Sequence, residues 1–580
     1  MNSKVYLILT VTVFLISPHS NIAQESIFEI NNKLGRGINM GNMFEAPSEG
    51  EWGNDFRDDY FELISELGFD HVRIPIRWDV TERTNLDPPY DIKPEFFQRI
   101  KYVVDKALAA NLMVIINMHH HEDIFENPEA VKPRFLSQWE QIGSFFKAYD
   151  NKLLFEVLNE PHANLTPEKW NVFFKDALNE IRKENPDRPV VMGIAEFGGL
   201  SAVPKIVLPE DKNIILSVHY YEPFTFTHQG AEWVGGDADS WLGTKWTNNE
   251  LEQKEVKNQF GFIKSFAAEN NVPINVGEFG AYSKADLESR VLWTNFLARW
   301  FEEQGFSWAY WEWSAGFGIF NPATNTLLEP LVNALLTDPF PAPSLVSSKV
   351  LYESNFSNSN DGWNLFVTSP ASGSLSNSKE GLSVDISKAS SEGWHIQLVR
   401  NNYEIQKGKS YLVSFTGKAS ETSSITAYLG RASTPWDSYS GYKGFTIEEF
   451  ESEFFFTFSM TNPDDPLARM VFDMANTKAT IMLTNIKVEE IIDSSVEETV
   501  LSLTEHNELS IYPNPTNGNI QVIDSEFVYH EFAVFNTKGQ NLMHGPISQN
   551  KINIEKLDPG LYLLRLISKD GSRLKKLIKL

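Results

Sequence analysis

The sequence predicts a multidomain chain that begins with an α/β domain, a (β/α)8 TIM barrel, and continues with a β-sandwich and a small all-β C-terminal domain. Three observations lead to this prediction. Eight short apolar runs alternate with amphipathic stretches up to residue 338, a segment rich in Pro and Ser follows, and beyond it short alternating runs are broken by Gly, Asn, Ser and Pro. At 580 residues the chain also exceeds what one hydrophobic core supports.

The N-terminus has the pattern of an export signal over residues 1–23. Lys4 precedes the apolar run VYLILTVTVFLI, which is too short and too close to the terminus for a membrane span, and Ala23 offers a cleavage site before Gln24. No later run reaches membrane length, so we expect a secreted protein without a transmembrane segment. The absence of Cys excludes disulfides, cysteine catalysis, thiolate metal sites and a lipoprotein anchor, and it favours a bacterial source.

Charge and aromatic content narrow the class of partner. A net charge of −27 disfavours nucleic acid and anionic lipid, and it suits a neutral substrate that needs no electrostatic steering. The 15 Trp and 41 Phe are mostly core material, but flat aromatic faces also pack against the C–H faces of sugars.

The apolar runs of the first domain, residues 25–338, are interpreted as the eight strands of the barrel. They lie at 36–42, 71–78, 113–122, 153–160, 189–198, 214–222, 273–280 and 306–313. Amphipathic helices are predicted between them, for example over 54–69, 94–111 and 167–186. Pro94 and Pro167 suit first helical turns, where a missing N–H costs little.

Each of these runs begins apolar and ends in polar or aromatic side chains. The residues at the ends are Asn42, Arg73, His119, His120, Glu160, Glu196, His219, Tyr221, Glu278 and Trp311. Because the active site of a barrel enzyme is built from the C-terminal ends of its strands, we expect these side chains to converge on one cleft.

Changes in amino-acid composition along the chain predict the remaining domain boundaries. Residues 339–348 are predicted as a linker, 349–491 as the β-sandwich, 492–506 as a second polar linker, and 507–580 as the small β domain.

Two of the strand ends supply the carboxyl groups that hydrolysis of a glycosidic bond requires. One carboxylic acid protonates the leaving oxygen, and a carboxylate acts on the opposite face of the sugar. Asn159-Glu160-Pro161 ends the fourth run and Gly277-Glu278-Phe279-Gly280 ends the seventh. Either Glu alone is a weak signal, but the pair within one barrel is specific.

Residues 28–336 resemble glycoside hydrolase family 5, the family of many bacterial endoglucanases and some β-mannanases. The matching segments are RGINMGN, HVRIPIRW, INMHHHE, FEVLNEP, HYYEPFTFTHQGAEWV, NVGEFGAYSKADLESR and SWAYWEW. The resemblance implies that Glu160 is the acid/base and Glu278 the nucleophile. It also implies substrate-binding or supporting roles for Arg73, His119, His120, Asn159, His219, Tyr221 and Trp311, and for Asn42, Glu45 and Trp233.

The expected ionisation of the pair follows from these roles. Glu278 has to stay ionised, which Arg73 and Tyr221 would favour, and the charge of Glu278 is expected to raise the pKa of Glu160. Side chains alone supply both proton transfers and the nucleophile, so we expect no cofactor and no catalytic metal.

The run His119-His120-His121-Glu122 has a competing interpretation as a zinc site. Successive strand residues point to opposite faces, so three consecutive histidines do not all face one ion. We therefore expect no metal here, and we expect His121 to lie at the surface. Glu196 fits a cleft position and a structural position equally well.

The two C-terminal domains also resemble known modules. The sandwich resembles carbohydrate-binding modules of the jelly-roll type, with Trp394, Trp436, Tyr439 and Tyr442 as candidates for sugar stacking; a spacer without a ligand is the alternative. A structural calcium ion there is compatible with the sequence. The segment YPNPTNG and the run LDPGLYLLRL resemble the type A sorting domain of the type IX secretion system, which implies export from a Gram-negative, Bacteroidetes-like bacterium to the medium or the cell surface.

These features predict a secreted, monomeric, retaining endo-β-1,4-glucanase acting on cellulose or mixed-linkage β-glucan. An endo-β-1,4-mannanase or xyloglucanase on the same scaffold is the alternative within this chemistry. A non-catalytic glycan-binding surface protein is the alternative from another class, and the presence of both glutamates with Arg73, Asn159 and Tyr221 argues against it.

Overall fold

The computed structural model describes most of the chain outside its N-terminus. The described residues are 25–344, 346–492 except 357, 358 and 380, and, near the C-terminus, 510–512, 516, 518–523, 529–535, 541–547, 550–557, 560–568 and 571–579. The predicted signal peptide and nearly all of the second predicted linker lie outside this part. The chain forms two compact units, Met1–Leu345 and Val346–Leu580.

The first unit is a closed barrel of eight parallel strands in sequential order, as predicted. The strands are β1 (Arg36–Asn39), β2 (His71–Ile74), β3 (Met113–Asn117), β4 (Leu153–Glu156), β5 (Val190–Gly193), β6 (Ile214–Tyr220), β7 (Ile274–Phe279) and β8 (Ser307–Tyr310). β8 closes the barrel by pairing with β1, Ala309 opposite Gly37. Each strand lies inside one of the eight apolar runs. The polar residues at the ends of the runs lie at the C-terminal ends of the strands or in the loops that follow them.

Helices surround the barrel and connect its strands. They are α1 (Ile27–Leu34), α2 (Tyr60–Leu67), α3 (Pro94–Ala109), α4 (Glu122–Glu126), α5 (Pro128–Phe145), α6 (Pro167–Arg182), α7 (Phe224–Thr227), α8 (Glu250–Gln259), α9 (Gly261–Asn270), α10 (Leu287–Glu303) and α11 (Glu329–Leu336). Short 3-10 helices occupy Leu200–Lys205 and Ala238–Trp241, and a two-stranded ribbon pairs β9 (Phe320–Asn321) with β10 (Thr326–Leu327).

The helix starts follow ordinary capping chemistry. Pro94 and Pro167 are the first residues of α3 and α6, as the sequence predicts. Ser26 caps α1 and forms a capping box with Glu29, and Asn249 caps α8 in the same way with Glu252.

One end of the barrel interior is closed by α1. Ile27, Ile30 and Leu34 pack with a layer of inward-pointing strand residues, which are Met113, Ile115, Leu154, Val191 and Ile215. The site described below lies at the opposite end, where the strands terminate. α1 therefore seals the N-terminal face and leaves the C-terminal face free for loops.

The first half of the predicted linker lies on the barrel. Asn248 donates its Nδ2 to Ala342 O at 3.0 Å, and Ser344 N donates to Asn248 O at 3.0 Å. Gln253 Nε2 donates to Pro341 O at 3.2 Å, and the ring of Phe340 contacts Phe296. These contacts tie residues 340–344 to the start of α8.

The second unit contains a sandwich of two antiparallel sheets, as predicted. The first sheet contains β11 (Ser347–Glu353), β13 (Ser372–Ser378), β14 (Gly381–Lys388), β16 (Ser410–Ala419), β19 (Ser452–Ser459) and β21 (Thr480–Ile492). The second contains β12 (Asn364–Val367), β15 (Ile396–Ile405), β17 (Ser423–Gly430), β18 (Lys443–Ile447) and β20 (Asp465–Asp473), with a 3-10 turn at Gly393–His395. Trp363 lies in the core between the sheets and is 1% exposed.

The C-terminal part forms two small antiparallel sheets. One orders β22 (Ser510–Tyr512), β23 (Asn519–Ile523) and β26 (Lys551–Asn553); the other contains β24 (Glu531–Phe535), β25 (Asn541–Pro546), β27 (Gly560–Ser568) and β28 (Gly571–Lys579). They share a core of their own that includes Val534, Leu564 and Leu577. The described helices include none with both the length and the apolar character that crossing a bilayer requires.

Candidate active site

Arg73, at the end of β2, is a buried cation that forms hydrogen bonds with several side chains at the C-terminal face of the barrel. Its side chain is fully buried and its five N–H groups are all used. Two go to Glu156 at 2.6 and 2.7 Å, and one each goes to Asn39, Glu278 and Asn159 at 2.7–2.8 Å. A planar guanidinium with every donor occupied holds its partners in fixed positions.

Glu278, in β7, is the carboxyl group at the centre of the site. Its side chain is 6% exposed. Oε1 accepts from Arg73 Nη1 at 2.7 Å, and Oε2 accepts from the hydroxyl of Tyr221 at 2.9 Å. Both oxygens thus have donors that stabilise a negative charge on a buried group.

Glu160 follows β4 and has a left-handed backbone, with φ +47°. Its side chain is 26% exposed, so it reaches the open cleft more than Glu278 does. Oε1 lies 2.7 Å from Nδ1 of His219, and the same Nδ1 lies 3.6 Å from Oε2 of Glu278. One carboxylate oxygen of Glu160, one of Glu278 and a ring nitrogen of His219 all lie within 4.8 Å of one another.

The directions of the pKa shifts of Glu160 and Glu278 differ from the prediction. Burial raises the pKa of Glu160, but the hydrogen bond and charge of His219 lower it below its ordinary value. Burial raises the pKa of Glu278 above its ordinary value despite the charges of His219 and Arg73. Each shift thus runs in the direction opposite to the expected one, and His219 is the hydrogen-bond partner of Glu160.

The surroundings of His219 favour its protonated form. Burial lowers the pKa of His219, but the charge of Glu278 and the hydrogen bond with Glu160 outweigh that and raise it.

Trp311, after β8, lies in a row of rings at the side of the pair. Its indole stacks on His119 with centroids 5.6 Å apart and an angle of 8°, and His119 contacts His120 at 4.9 Å. His119 is buried, and burial holds its pKa well below the ordinary value, so the imidazole beside Trp311 is neutral. His120 is one-third exposed and contacts Trp52.

The prediction that His121 lies at the surface is wrong. His121 is fully buried, and its Nδ1 lies 3.1 Å from Asp79, which also pairs with Arg134 at 2.7 Å. The chain turns into α4 directly after His121, which directs this ring under the loop. Burial lowers its pKa to about 4.

Asn42 and Glu45 lie in the loop after β1. Asn42 has φ +62°, and its backbone N–H donates to the carboxylate of Glu45. Glu45 also accepts from Met43 N at 3.0 Å, and burial raises its pKa to about 7. Glu312, next to Trp311, is fully buried, and burial with the charge of Glu45 raises its pKa to about 8.

Trp233 lies in the long loop after β6. It is 59% exposed and contacts Tyr282 edge-on at 4.8 Å. Its other ring neighbours are His228 and Phe317. Trp233 therefore belongs to a cluster of rings contributed by the loops after β6, β7 and β8.

Sequence reasoning missed three residues of this network. Glu156 and Asn39 hold Arg73, and Glu312 lies in the wall beside Trp311. A signal for Glu156 exists, because it is an acidic residue inside a buried strand, four residues before Glu160 in the same run. Glu196 has a structural role: its carboxylate accepts from Ser201 and Lys205, each at 2.8 Å.

The structure also places the candidates of the sandwich. Trp394, Trp436 and Tyr442 are 47–63% exposed. Tyr439 is half-buried against the core, and its hydroxyl donates to Asp465 at 2.8 Å. Tyr439 thus has a packing role in this structure.

The outward face of the second sheet carries a buried cluster that is separate from the sandwich core. Val399, Val471 and Tyr428 lie side by side on β15, β20 and β17. Gln397 donates to Asp473 at 2.7 Å in the neighbouring row. The exposed aromatic rings border this cluster: Tyr442 contacts Tyr428, and Trp436 lies under the guanidinium of Arg469.

Comparison with known proteins agrees with this geometry. Residues 32–316 match the family Cellulase (glycosyl hydrolase family 5), residues 348–479 match a carbohydrate binding domain, and residues 510–580 match a secretion system C-terminal sorting domain. Endoglucanase H of Acetivibrio thermocellus is 36% identical over 325 residues, which are 55% of this chain and 34% of that protein. The chain thus spans about a third of the length of that relative.

The matching part of this chain covers nearly the full length of several solved structures. Endoglucanase Cel5A from the hyperthermophilic Thermotoga maritima is 48% identical and has a TM-score of 0.52, covering 54% of this chain and 100% of that one. A cellulose synthase subunit Z from Clostridioides difficile is 36% identical, with a TM-score of 0.50, and covers 52% of this chain and 99% of that one. Through residues 32–316, this chain belongs to glycosyl hydrolase family 5, with a carbohydrate-binding domain and a C-terminal sorting domain attached.

Proposed function

We propose that the protein is a retaining endo-β-1,4-glucanase. One observation carries the proposal: carboxylate oxygens of Glu160 and Glu278 approach within 4.8 Å across the cleft. Retaining glycosidases have carboxyl groups about 5–5.5 Å apart, whereas inverting enzymes need roughly 6.5–9.5 Å to admit a water molecule. The short gap supports direct attack by a carboxylate.

In the first step, an oxygen of Glu278 forms a bond to the anomeric carbon while the bond from that carbon to the glycosidic oxygen breaks. Arg73 and Tyr221 hold the carboxylate in line until it attacks. Glu160 gives its proton to the leaving oxygen, so the shorter sugar chain departs as a neutral alcohol. The nucleophile is then a neutral glycosyl ester.

The proton for this step comes from the hydrogen bond between His219 and Glu160. In the free enzyme the charge of Glu278 favours the protonated form of His219. As the bond from Glu278 to the anomeric carbon forms, that charge disappears, and the proton passes from His219 through Glu160 to the leaving oxygen in the same step. In the second step Glu160, as carboxylate, removes a proton from water, which attacks the anomeric carbon and releases Glu278.

The substrate class follows from the cleft and the relatives. Exposed rings on the strand-end loops, such as Trp52 and Trp233, suit a neutral polysaccharide, because sugar faces stack on aromatic rings. Relatives are named endoglucanases, and a Thermotoga maritima Cel5A structure is described in complex with cellobiose and another with mannotriose. We favour β-1,4-glucan, with mannan as the second candidate on the same catalytic groups.

Release of reducing ends from carboxymethylcellulose, lichenan and glucomannan, measured side by side, tests this assignment. We expect the highest kcat/KM on the two glucans and a rapid fall in viscosity, which marks internal cleavage. The Glu278→Gln variant, which keeps the shape of the side chain, serves as the inactive control. A preference for glucomannan would favour the mannanase, and no activity on any of the three would contradict a glycosidase.

We propose further that catalysis needs no metal or cofactor. The Glu160–His219–Glu278 group has the ligand spacing of a metal site. However, Arg73 already neutralises Glu278, and a second cation would face that guanidinium. Dialysis against EDTA should leave kcat/KM unchanged; a loss that Ca²⁺ or Mg²⁺ restores would contradict this.

For the sandwich we propose binding of the same polysaccharide on the outward face of its second sheet. Trp436 and Tyr442 provide exposed rings on this face, beside the buried Val399, Val471 and Tyr428. Replacing Trp436 and Tyr442 together by Ala should abolish retention on insoluble cellulose and spare turnover of soluble glucan. Substitution of Tyr439, which packs inward, is the matched control; unchanged retention in the double variant would favour a spacer.

The match at residues 510–580 supports export through a type IX secretion system, to the medium or the cell surface of a Bacteroidetes-like bacterium. Deleting the residues from 507 onward in a host with that system should leave the enzyme inside the cell envelope. Export of the shortened chain would contradict the proposal.

A further inference from the structure

We propose that His162 is a positioning residue for Glu160, which it holds through a hydrogen bond to the backbone carbonyl of Glu160. The inference rests on the proposed glycosidase function and deepens it, because it names a residue that fixes the geometry of the acid. His162 lies two residues after Glu160, in the loop that follows β4.

The backbone of Glu160 has a conformation that its local sequence disfavours. Its φ is +47°, in the left-handed region that residues other than Gly rarely adopt. The next residue is Pro161, and a residue before proline prefers an extended backbone. Such a conformation persists only where the surroundings hold it. Glu160 therefore needs a contact from outside its own peptide unit.

The imidazole of His162 supplies such a contact. Its Nδ1 lies 2.6 Å from the backbone oxygen of Glu160. Because a carbonyl oxygen only accepts, Nδ1 carries the hydrogen and donates it, in the neutral imidazole as well as in the protonated one. This hydrogen bond spans Pro161 and fixes the carbonyl of Glu160, and with it the direction in which the glutamate side chain leaves the backbone.

The ring of His162 is itself held in place. Its centroid lies 3.9 Å from that of Phe125, at an angle of 30°, and 4.2 Å from that of Phe197, at an angle of 17°. Phe125 is 5% exposed and belongs to the core of the barrel. Asn164 N donates to the backbone oxygen of Phe125 at 3.0 Å, so the loop is tied to α4 on both sides of this ring contact. His162 thus connects α4 to Glu160.

The acid depends on backbone support more than the nucleophile does. Both carboxylate oxygens of Glu278 accept hydrogen bonds, one from Arg73 and one from Tyr221. Within the part of the chain that the structure describes, the carboxylate of Glu160 has one hydrogen-bond partner, His219. The backbone therefore has to supply the rest of the alignment with the glycosidic oxygen, and proton transfer requires that alignment.

Two leaving groups separate positioning of the acid from a general structural role. Cellopentaose needs a proton on its leaving oxygen, whereas 2,4-dinitrophenyl β-cellobioside releases a phenolate that needs none and uses the same nucleophile. In His162→Phe, which keeps a flat ring and lacks the N–H, we expect kcat/KM on cellopentaose to fall roughly tenfold and kcat/KM on the aryl substrate to stay within about twofold of the wild type. His162→Asn places Nδ2 as many bonds from Cα as Nδ1 of histidine, so it should recover cellopentaose activity to within about threefold of the wild type.

The aryl substrate gives a second readout, because Glu160 also acts as the base when water hydrolyses the ester. In His162→Phe the ester should form normally and hydrolyse slowly. A burst of dinitrophenolate larger than that of the wild type should then precede the steady state, and kcat and KM should fall together. A loss of stability alone would produce no such burst.

The matched control is His395→Phe in the sandwich, where Nδ1 of a half-buried histidine lies 2.6 Å from the hydroxyl of Ser390. It should change neither substrate. If His162→Phe does not fold by thermal melting, His162→Leu takes its place. Equal losses on both substrates, no loss on cellopentaose, or no recovery in a folded His162→Asn would each overturn the positioning role. A wild-type enzyme inactive on both substrates would overturn the proposed function and this inference with it, whereas an active wild type with unaffected variants would overturn this inference alone.

Discussion

Nδ1 of His219 lies 2.7 Å from Oε1 of Glu160, and this hydrogen bond links two titratable groups of the site. The imidazole reaches Glu278 only at 3.6 Å, so its hydrogen bond goes to Glu160 and not to Glu278. Because a coupled pair titrates as a unit, the basic limb of a pH profile reports the loss of one proton shared by His219 and Glu160.

Replacing His219 by Gln should move that basic limb to lower pH. The raised pKa of His219 places the limb above the ordinary value of 6.5, so activity persists above that pH and falls as the proton is lost. Without the imidazole only Glu160 retains the proton. We expect kcat/KM on cellopentaose to fall about 10²-fold at pH 8 and less at pH 5. A pH-independent loss would contradict the shared proton.

Rescue by a small nucleophile and the use of a good leaving group distinguish the roles of the two glutamates. In Glu278→Ala, turnover should nearly vanish and azide should rescue it, with an α-glycosyl azide as product, because azide attacks from the vacated side. In Glu160→Ala, an aryl β-cellobioside with a good leaving group should still form the glycosyl ester, since its departure needs little protonation. The reverse pattern, read by NMR of the azide product, would mean that the roles are interchanged.

Glu312 should make the folded state less stable as the pH rises. Its pKa is raised to about 8 from 4.5, and its Oε2 has no hydrogen-bond partner among the described residues. Between these two values the folded protein retains a proton that the unfolded chain has lost, so the free energy of unfolding decreases with increasing pH. Between pH 5 and pH 8, the Tm of Glu312→Gln should fall by a few degrees less than the Tm of the wild type.

The matched control for this measurement is Glu269→Gln, at an exposed position of α9. It should leave the pH dependence of Tm unchanged. If Glu312→Gln behaved like the control, Glu312 would not be the protonated group.

Truncation should separate the barrel from the rest at residue 345, not at residue 338. A chain ending at 345 keeps the hydrogen bonds from residues 341–344 to Asn248 and Gln253; a chain ending at 338 loses them. We expect both to hydrolyse soluble β-glucan, with Tm a few degrees lower for the shorter chain, by calorimetry. Activity on insoluble cellulose should fall in both, because the sandwich no longer raises the local concentration at the surface. Equal losses on soluble and insoluble glucan would mean that the sandwich stabilises the barrel.

The barrel could be predicted from the sequence because its signals are local. Eight apolar runs, each ending in polar residues, correspond one to one to the strands β1–β8. Pro94 and Pro167 begin helices because the proline ring fixes φ near the helical value and the first turn does not need the missing N–H. The pair Glu160 and Glu278 could be chosen because both lie at strand ends, where the fold brings them to one face.

Properties that depend on neighbours distant in the chain were decided only by the tertiary structure. His121 is buried because the chain turns beneath a loop that carries Asp79, 42 residues earlier. Tyr439 packs inward because Asp465 accepts its hydroxyl. The directions of the pKa shifts of the two glutamates depend on neighbours such as His219, whose Nδ1 lies 2.7 Å from Glu160 and 3.6 Å from Glu278. A sequence pattern places a side chain on a face, but burial and the distances between charges arise when separate segments pack together, and these set the chemistry of the site.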